Sequence, residues 1–289
     1  MKAFVPGRPY WWQWPTVLSL DAPAVAVLWQ WELSRVAGVE LGAHHAFVLG
    51  ASVWLAYAAD RWIEGWRLEP EQVQTQRHLF YQRWRWPLLG LWTGVLASTL
   101  GVALHSLSEH ELLAGLLLLG PVLAYLLLHQ LTHRNSLWRA PKELFVALLL
   151  AGGASCFTLA RAPGSLRGMS LPLGLFALLC FANCALISLW EREVDRSHGQ
   201  VSLALQYPGG GRILRLLPWL VAAVAAASSS AGSGLFREAT LAAAASGALL
   251  GGVDRLQPRC GRQLARALAD AALLGPLLPW VLGWMAGRG

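Results

Sequence analysis

Two pairs of carboxylates, each pair four residues apart, are the side chains of this 289-residue chain best placed to do chemistry. Asp60 and Glu64 close the stretch Trp54-Leu55-Ala56-Tyr57-Ala58-Ala59, and Glu191 and Asp195 close Ile187-Ser188-Leu189-Trp190. Residues four apart share one face of a helix, so each pair presents two acids in one direction. Acids at a helix C-terminus oppose the macrodipole, at about 0.3–1 kcal/mol each when exposed, and so call for a cation. Arg61, Arg192 and Arg196 supply part of that charge. A hard divalent ion, Mg²⁺ above all, supplies it better, because it takes a few carboxylates and completes its shell with water and phosphate oxygens. Two such pairs facing each other suit metal-bridged binding of a diphosphate. A charged collar, in which acids and arginines merely pair at an interface, is the better account of one such pair; two pairs with the same spacing and depth favour the metal-bridged reading over it.

The elements that carry these acids are membrane spans. The chain is 55% hydrophobic and only 13% charged, with 16 Trp, against roughly 25% charged residues in ordinary soluble domains. A span needs about 20 mostly apolar residues, and nine such runs are expected: 22–38, 46–62, 86–106, 112–131, 144–160, 171–190, 213–231, 239–253 and 264–285. The expected fold is thus an all-α integral membrane bundle of about nine helices forming one domain over residues 1–289. Residues 1–21, with Tyr10, Trp11, Trp12 and Trp14, read as an interfacial aromatic anchor rather than a cleaved signal. With the N-terminus cytoplasmic, 18 of the 23 Lys and Arg fall on the cytoplasmic side, as positive charge does in inner-membrane proteins. Both acidic pairs close even-numbered spans and therefore lie on that same side. The eighth run, rich in Ala and Gly, suits close packing inside the bundle. The net charge of +7 fits contact with anionic membrane lipid and not nucleic acid. Cys180 and Cys184, one turn apart, read as small apolar packing.

Glu191-Arg192-Glu193-Val194-Asp195-Arg196 resembles the second aspartate-rich motif of the UbiA-type intramembrane prenyltransferases, and Asp60 with Glu64 resembles the last two acids of their first. The leading Asn-Asp of that first motif is replaced by Ala56 and Tyr57, and Glu64 and Glu191 stand where Asp is usual. The run Asp60-Arg61 with Arg77-His78-x-Phe80-Tyr81 is similar to a divergent bacterial branch. The resemblance implies nine spans, with loops 63–85 and 195–212 capping a cavity. It implies transfer of an isoprenyl group from a polyprenyl diphosphate to an aromatic or other lipophilic acceptor, with Mg²⁺. Asp60, Glu64, Glu191 and Asp195 would be the metal and catalytic residues, with Glu193 and Arg196 beside them. The family's Tyr-x-x-x-Lys contact is absent, since His129 follows Tyr125, and His133, Arg134 and Lys142 would substitute. Arg77 would be a further diphosphate contact, or else a solvated loop arginine; Tyr57, Trp54, Phe181 and Trp190 would line the cavity if their helices face inward, although Trp near a span end is more often an interfacial belt residue.

Other charged residues carry their own expectations. Asp270 lies inside the ninth run, where an ionisable group needs a partner or a function, and Arg266, one turn earlier, is the partner expected. Glu32 and Arg35 read as a structural ion pair. His44, His45, His105 and His110 fall on the side opposite the acids. No phosphate-binding Gly-Lys-Ser/Thr, dinucleotide Gly-x-Gly-x-x-Gly or His-Glu-x-x-His occurs. The competing classes are a transporter, which broken inverted repeats would favour, a terpene cyclase on the same scaffold, and a catalytically silent relative.

Overall fold

A computed structural model of the chain describes residues 9–67, 76–131, 141–197 and 201–278, and every regular element among them is helical. A 3-10 turn at Trp11–Gln13 and a short α1 (Trp14–Val17) lead into α2 (Asp21–Val36), α3 (Ala43–Arg67), α4 (Gln76–Arg83), α5 (Arg85–Ser106) and α6 (Glu109–Leu131). Then come α7 (Lys142–Arg161), α8 (Leu166–Trp190), α9 (Arg192–Ser197), α10 (Leu203–Gln206), α11 (Gly211–Ala231) and α12 (Gly234–Ala272). The result is an all-α membrane protein. The long helices alternate in direction, because the α2–α3 turn, the start of α6 and the end of α7 all meet at one end. There Arg161 and His45 both reach Glu111, at 2.6 and 2.8 Å, and Arg161 also donates to the Glu40 carbonyl.

Each expected span falls on a helix among the described residues. Among the described residues, five helices are long and apolar enough to cross a membrane: Arg85–Ser106, Glu109–Leu127, Lys142–Arg161, Pro163–Trp190 and Gly211–Ala231. α2 is shorter, at 16 residues, and α3 ends in the charged stretch from Asp60 to Arg67. The expected eighth and ninth spans fall on the two helical stretches of α12, which a non-helical residue, Gly261, separates. Its φ of 78° and ψ of 165° lie where glycine, lacking Cβ, is nearly alone in being stable. Beyond Gly261 the helix is interrupted after Ala272 by a 3-10 turn at Gly275–Leu277, and the end of the expected ninth run, 279–285, lies outside the described residues. Pro276 has no N–H to continue the helical ladder.

α8 is the central post. Trp29 of α2 and Phe176 of α8, both fully buried, stack with centroids 4.6 Å apart. Ala147, Ala151 and Ala154 of α7 and Leu175 and Leu179 of α8 pack around them. The second half of α8 packs through Ala182, Leu186 and Trp190 on Leu250, Ala265 and Ala269 of α12. The small-residue stretch of α12 is interior, as its composition indicates: Ala243 and Ser246 are fully buried. A Cβ on Gly247 would sit 2.7 Å from the Pro218 carbonyl, and one on Gly251 2.4 Å from the Trp219 ring, so α11 and α12 approach as only glycines allow. By contrast α5 and α6 are hardly buried at all and form the outer wall.

Candidate functional site

The ends of α3, α8 and α12 surround a polar cavity of about 180 Å³, which α4 and the starts of α2 and α7 help to wall. Asp60, Glu191 and Asp195 all line it. Acids 131 residues apart in sequence are thereby brought to one pocket from α3 and α8. Asp21, Glu143 and Asp270 line it too, so six carboxylates face four cationic groups, Arg61, Arg77, Lys142 and Arg266. Ionised carboxylates in excess over their partners are costly away from bulk water, so the cavity favours any further cation that enters it.

Glu191 is the best-held of these acids. It caps α8, its N–H donating to the Ile187 carbonyl at 2.9 Å, and its own carbonyl accepts from Asp195 N–H at 2.8 Å. The helix breaks at Glu191 and resumes as α9, so the two acids are linked by one backbone bond across the break. One carboxylate oxygen of Glu191 receives Arg266 Nη1 at 2.6 Å and lies 3.7 Å from Arg77 Nη2. Burial pushes the Glu191 carboxyl up, but Arg266 and Arg77 together outweigh it and hold it down at about 2. Arg266 and Asp270 do interact electrostatically, as expected, but the guanidinium spends its hydrogen bond across on α8. Asp270 accepts from Asn183 Nδ2 at 2.9 Å.

Two buried tethers fix α4 and the chain before α2 over this cavity. Arg61, on α3, donates to the Thr16 carbonyl and to Ser19 Oγ, 2.6 Å away, and Ser19 Oγ is 2.8 Å from Tyr81 Oη on α4. Ser19 adopts a left-handed φ of 60° to make these contacts, a conformation a residue other than glycine holds only when its surroundings enforce it. With Tyr81 buried, Arg77 one turn earlier on α4 reaches the cavity. The expected cap 63–85 thus holds a short helix that contributes to the cavity wall.

A second, larger chamber of about 420 Å³ adjoins the first and is almost wholly apolar. Its walls come from α3, α5, α6 and α7, including Val53, Leu100, Leu116, Leu119 and Leu149, and Glu111 borders it as well. Tyr57, Asp60, Tyr125, Val146 and Leu150 line both spaces. The charged cavity and the apolar chamber therefore meet along one seam. Arg61 lies over the Tyr57 ring there, 5.9 Å from its centroid.

Other expected positions fall elsewhere. Glu193 and Arg196 of α9 are exposed and do not line the cavity. The side chain of Glu64, and His133 and Arg134 entirely, lie outside the described residues. Trp54 lines a separate apolar cleft with Trp62, Tyr81 and Trp92 and donates to the Leu18 carbonyl. Trp190 donates to buried Asp254 at 3.0 Å, a packing tie between α8 and α12. Phe181 packs against the core. Cys180 packs in the hydrophobic core as expected, and both Cys180 and Cys184 also border the cavity. Glu32 pairs with Arg35 at 3.3 Å as expected, and Glu238 extends the pair.

Among the described residues no three His, Cys, Asp or Glu side chains converge closely enough to hold a metal by themselves. An ion such as Mg²⁺, which keeps waters and draws ligands from substrate phosphate, does not need such a cage. The carboxylate excess and oxygen-only character of Asp60 and Asp195 fit such an ion; Glu191, engaged by two arginines, does not add to them.

No protein-family model matches the chain, and no curated protein does. Among solved structures, the apo structure of a UbiA homolog from Aeropyrum pernix K1 superposes with a TM-score of 0.62, covering 92% of this chain and 98% of that one at 18% identity. At that identity the likeness is one of fold, and it extends over nearly the whole chain.

Proposed function

We propose that the protein is an intramembrane prenyltransferase, moving an isoprenyl group from a polyprenyl diphosphate to a lipophilic acceptor. The observation that carries this reading is the seam at Tyr57, Asp60 and Tyr125, where a charged cavity opens on an apolar chamber. A polyprenyl diphosphate is divided in the same way, into a highly charged head and a long hydrocarbon tail. Its head suits the cavity, its tail the chamber, and its allylic C–O bond then falls at the seam.

Arg77 and Lys142 line the cavity and would meet the leaving diphosphate as it takes the C–O electron pair, the kind of electrostatic stabilisation that dominates such steps. Arg266 holds Glu191 in place and keeps that carboxylate from repelling the head group. The Tyr57 ring, at the seam, presents its π face to positive charge developing at the allylic carbon. The acceptor supplies the electron pair of the new carbon–carbon or carbon–oxygen bond and gives up a proton. Asp60 and Asp195 would hold Mg²⁺, which when bound neutralises diphosphate charge. The apolar chamber excludes water that would otherwise capture the cation.

The test is binding of radiolabelled geranylgeranyl diphosphate to purified protein with and without Mg²⁺. Wild type should bind in a metal-dependent way, and Asp60→Ala and Asp195→Ala should each weaken binding tenfold or more, about 1.4 kcal/mol. Wild type that binds no diphosphate, or variants that bind it unchanged, would overturn the reading.

A further inference from the structure

Four side chains on one wall of the polar cavity leave one another's hydrogen bonding incomplete. Asp21 opens α2, Asn183 lies in the middle of α8, and Arg266 and Asp270 share the last stretch of α12. Asn183 Nδ2 donates to Asp270 Oδ1, and Asp21 lines the cavity with them. The other end of the Asn183 amide is unmet: Oδ1 has no partner although the residue is only 6% exposed. Arg266 Nε is also buried without a partner, its Nη1 being spent on Glu191. Buried polar atoms are nearly always paired, by protein, water or ligand.

An orphan acceptor and an orphan donor on one cavity wall match a group that both donates and accepts. A hydroxyl does so: its hydrogen can go to Asn183 Oδ1 while its oxygen takes Arg266 Nε–H. A carboxylate has no hydrogen for the amide oxygen, and it would face the carboxyl oxygens of Asp21 and Asp270 with Arg266 already paired to Glu191. We infer that this wall binds the hydroxyl of a neutral lipophilic alcohol or phenol, and that it discriminates against acids of the same shape. The inference rests on the prenyl-transfer reading only in making that alcohol the acceptor. The site itself rests on Asp21, Asn183, Arg266 and Asp270.

Equilibrium dialysis of purified protein with tritiated 2-naphthol and 2-naphthoate as matched probes tests it, with micelles alone as the blank. At neutral pH wild type should bind the naphthol about tenfold or more tightly than the naphthoate. Asn183→Leu should lower naphthol affinity about tenfold. Asp270→Asn, which removes the charge and keeps the shape, should raise naphthoate affinity; thermal unfolding checks that both variants fold. The inference is overturned if the two probes bind wild type equally, if the naphthoate binds better, or if Asn183→Leu binds naphthol as wild type does. It is likewise overturned if naphthol binds no better than to the blank, in which case water alone meets the orphan atoms. Geranylgeranyl diphosphate binding by wild type is measured alongside. Naphthol preference without diphosphate binding removes prenyl transfer and keeps the hydroxyl site, and the reverse pattern does the opposite.

Discussion

Arg266 and Glu191, 75 positions apart, meet at 2.6 Å on the wall of the polar cavity and join α12 to the end of α8. Both side chains are mostly buried, at 19% and 16% exposure, and Arg77 approaches the same carboxylate oxygen from α4. Three helices that share no stretch of sequence are thus held around one charge.

Removing both partners should cost less than the sum of removing each alone. Arg266→Met leaves Glu191 buried beside Arg77 alone and should destabilise the protein by about 2–4 kcal/mol, somewhat below the range for fully buried pairs. Glu191→Gln combined with Arg266→Met should cost clearly less than the two single changes together. Thermal unfolding of the four proteins in one detergent closes this cycle, and additive losses would show that the pair is not coupled.

Acid should act through the same carboxylate. Its folded pKa of about 2 lies below the usual 4.5, so Glu191 contributes stability that is fully present above about pH 4.5 and lost as pH falls toward 2. The full effect is roughly 3 kcal/mol. Between pH 6 and 8 this group should change nothing. Unfolding temperatures measured from pH 6 down to 3 should fall less steeply for Glu191→Gln than for wild type, and parallel slopes would count against the arrangement.

How much of this could be read from the residues differs from group to group. Asp60 and Glu191 were legible because apolar runs and positive-charge bias fix the parity of the helices, and parity alone brings the ends of α3 and α8 to one side. Asp21 and Asn183 gave no such signal: each is a single polar residue whose partners come from other helices. Arg266 was assigned to Asp270 because four-residue spacing suggests a shared face, and spacing along one helix says nothing of a stronger partner on the next. The non-helical conformation at Gly261 and the 3-10 turn after Ala272 turn on backbone conformation, for which a glycine is only a permissive sign.

Glycines at the α11–α12 contact should tolerate nothing larger. Gly251→Leu would drive a side chain into the Trp219 ring and should cost about 3 kcal/mol or more, at or beyond the usual range for overpacking. Gly252→Ala, next along the same helix, meets nothing within 4 Å and should be neutral or gain up to about 1 kcal/mol of helix propensity. Unfolding temperatures of the two variants should move in opposite directions or differ by several degrees.

The thin partition formed by α5 and α6 has a bearing on supply. Leu100, Leu116 and Leu119 border the apolar chamber while large parts of their surfaces point outward, so the compartment is separated from surrounding acyl chains by little more than one layer of leucine. Hydrocarbon could then arrive and depart sideways, within the plane of the bilayer. Occupancy would follow how much of such a molecule is dissolved per unit of lipid, and diluting the membrane with inert lipid should matter where diluting the aqueous volume does not.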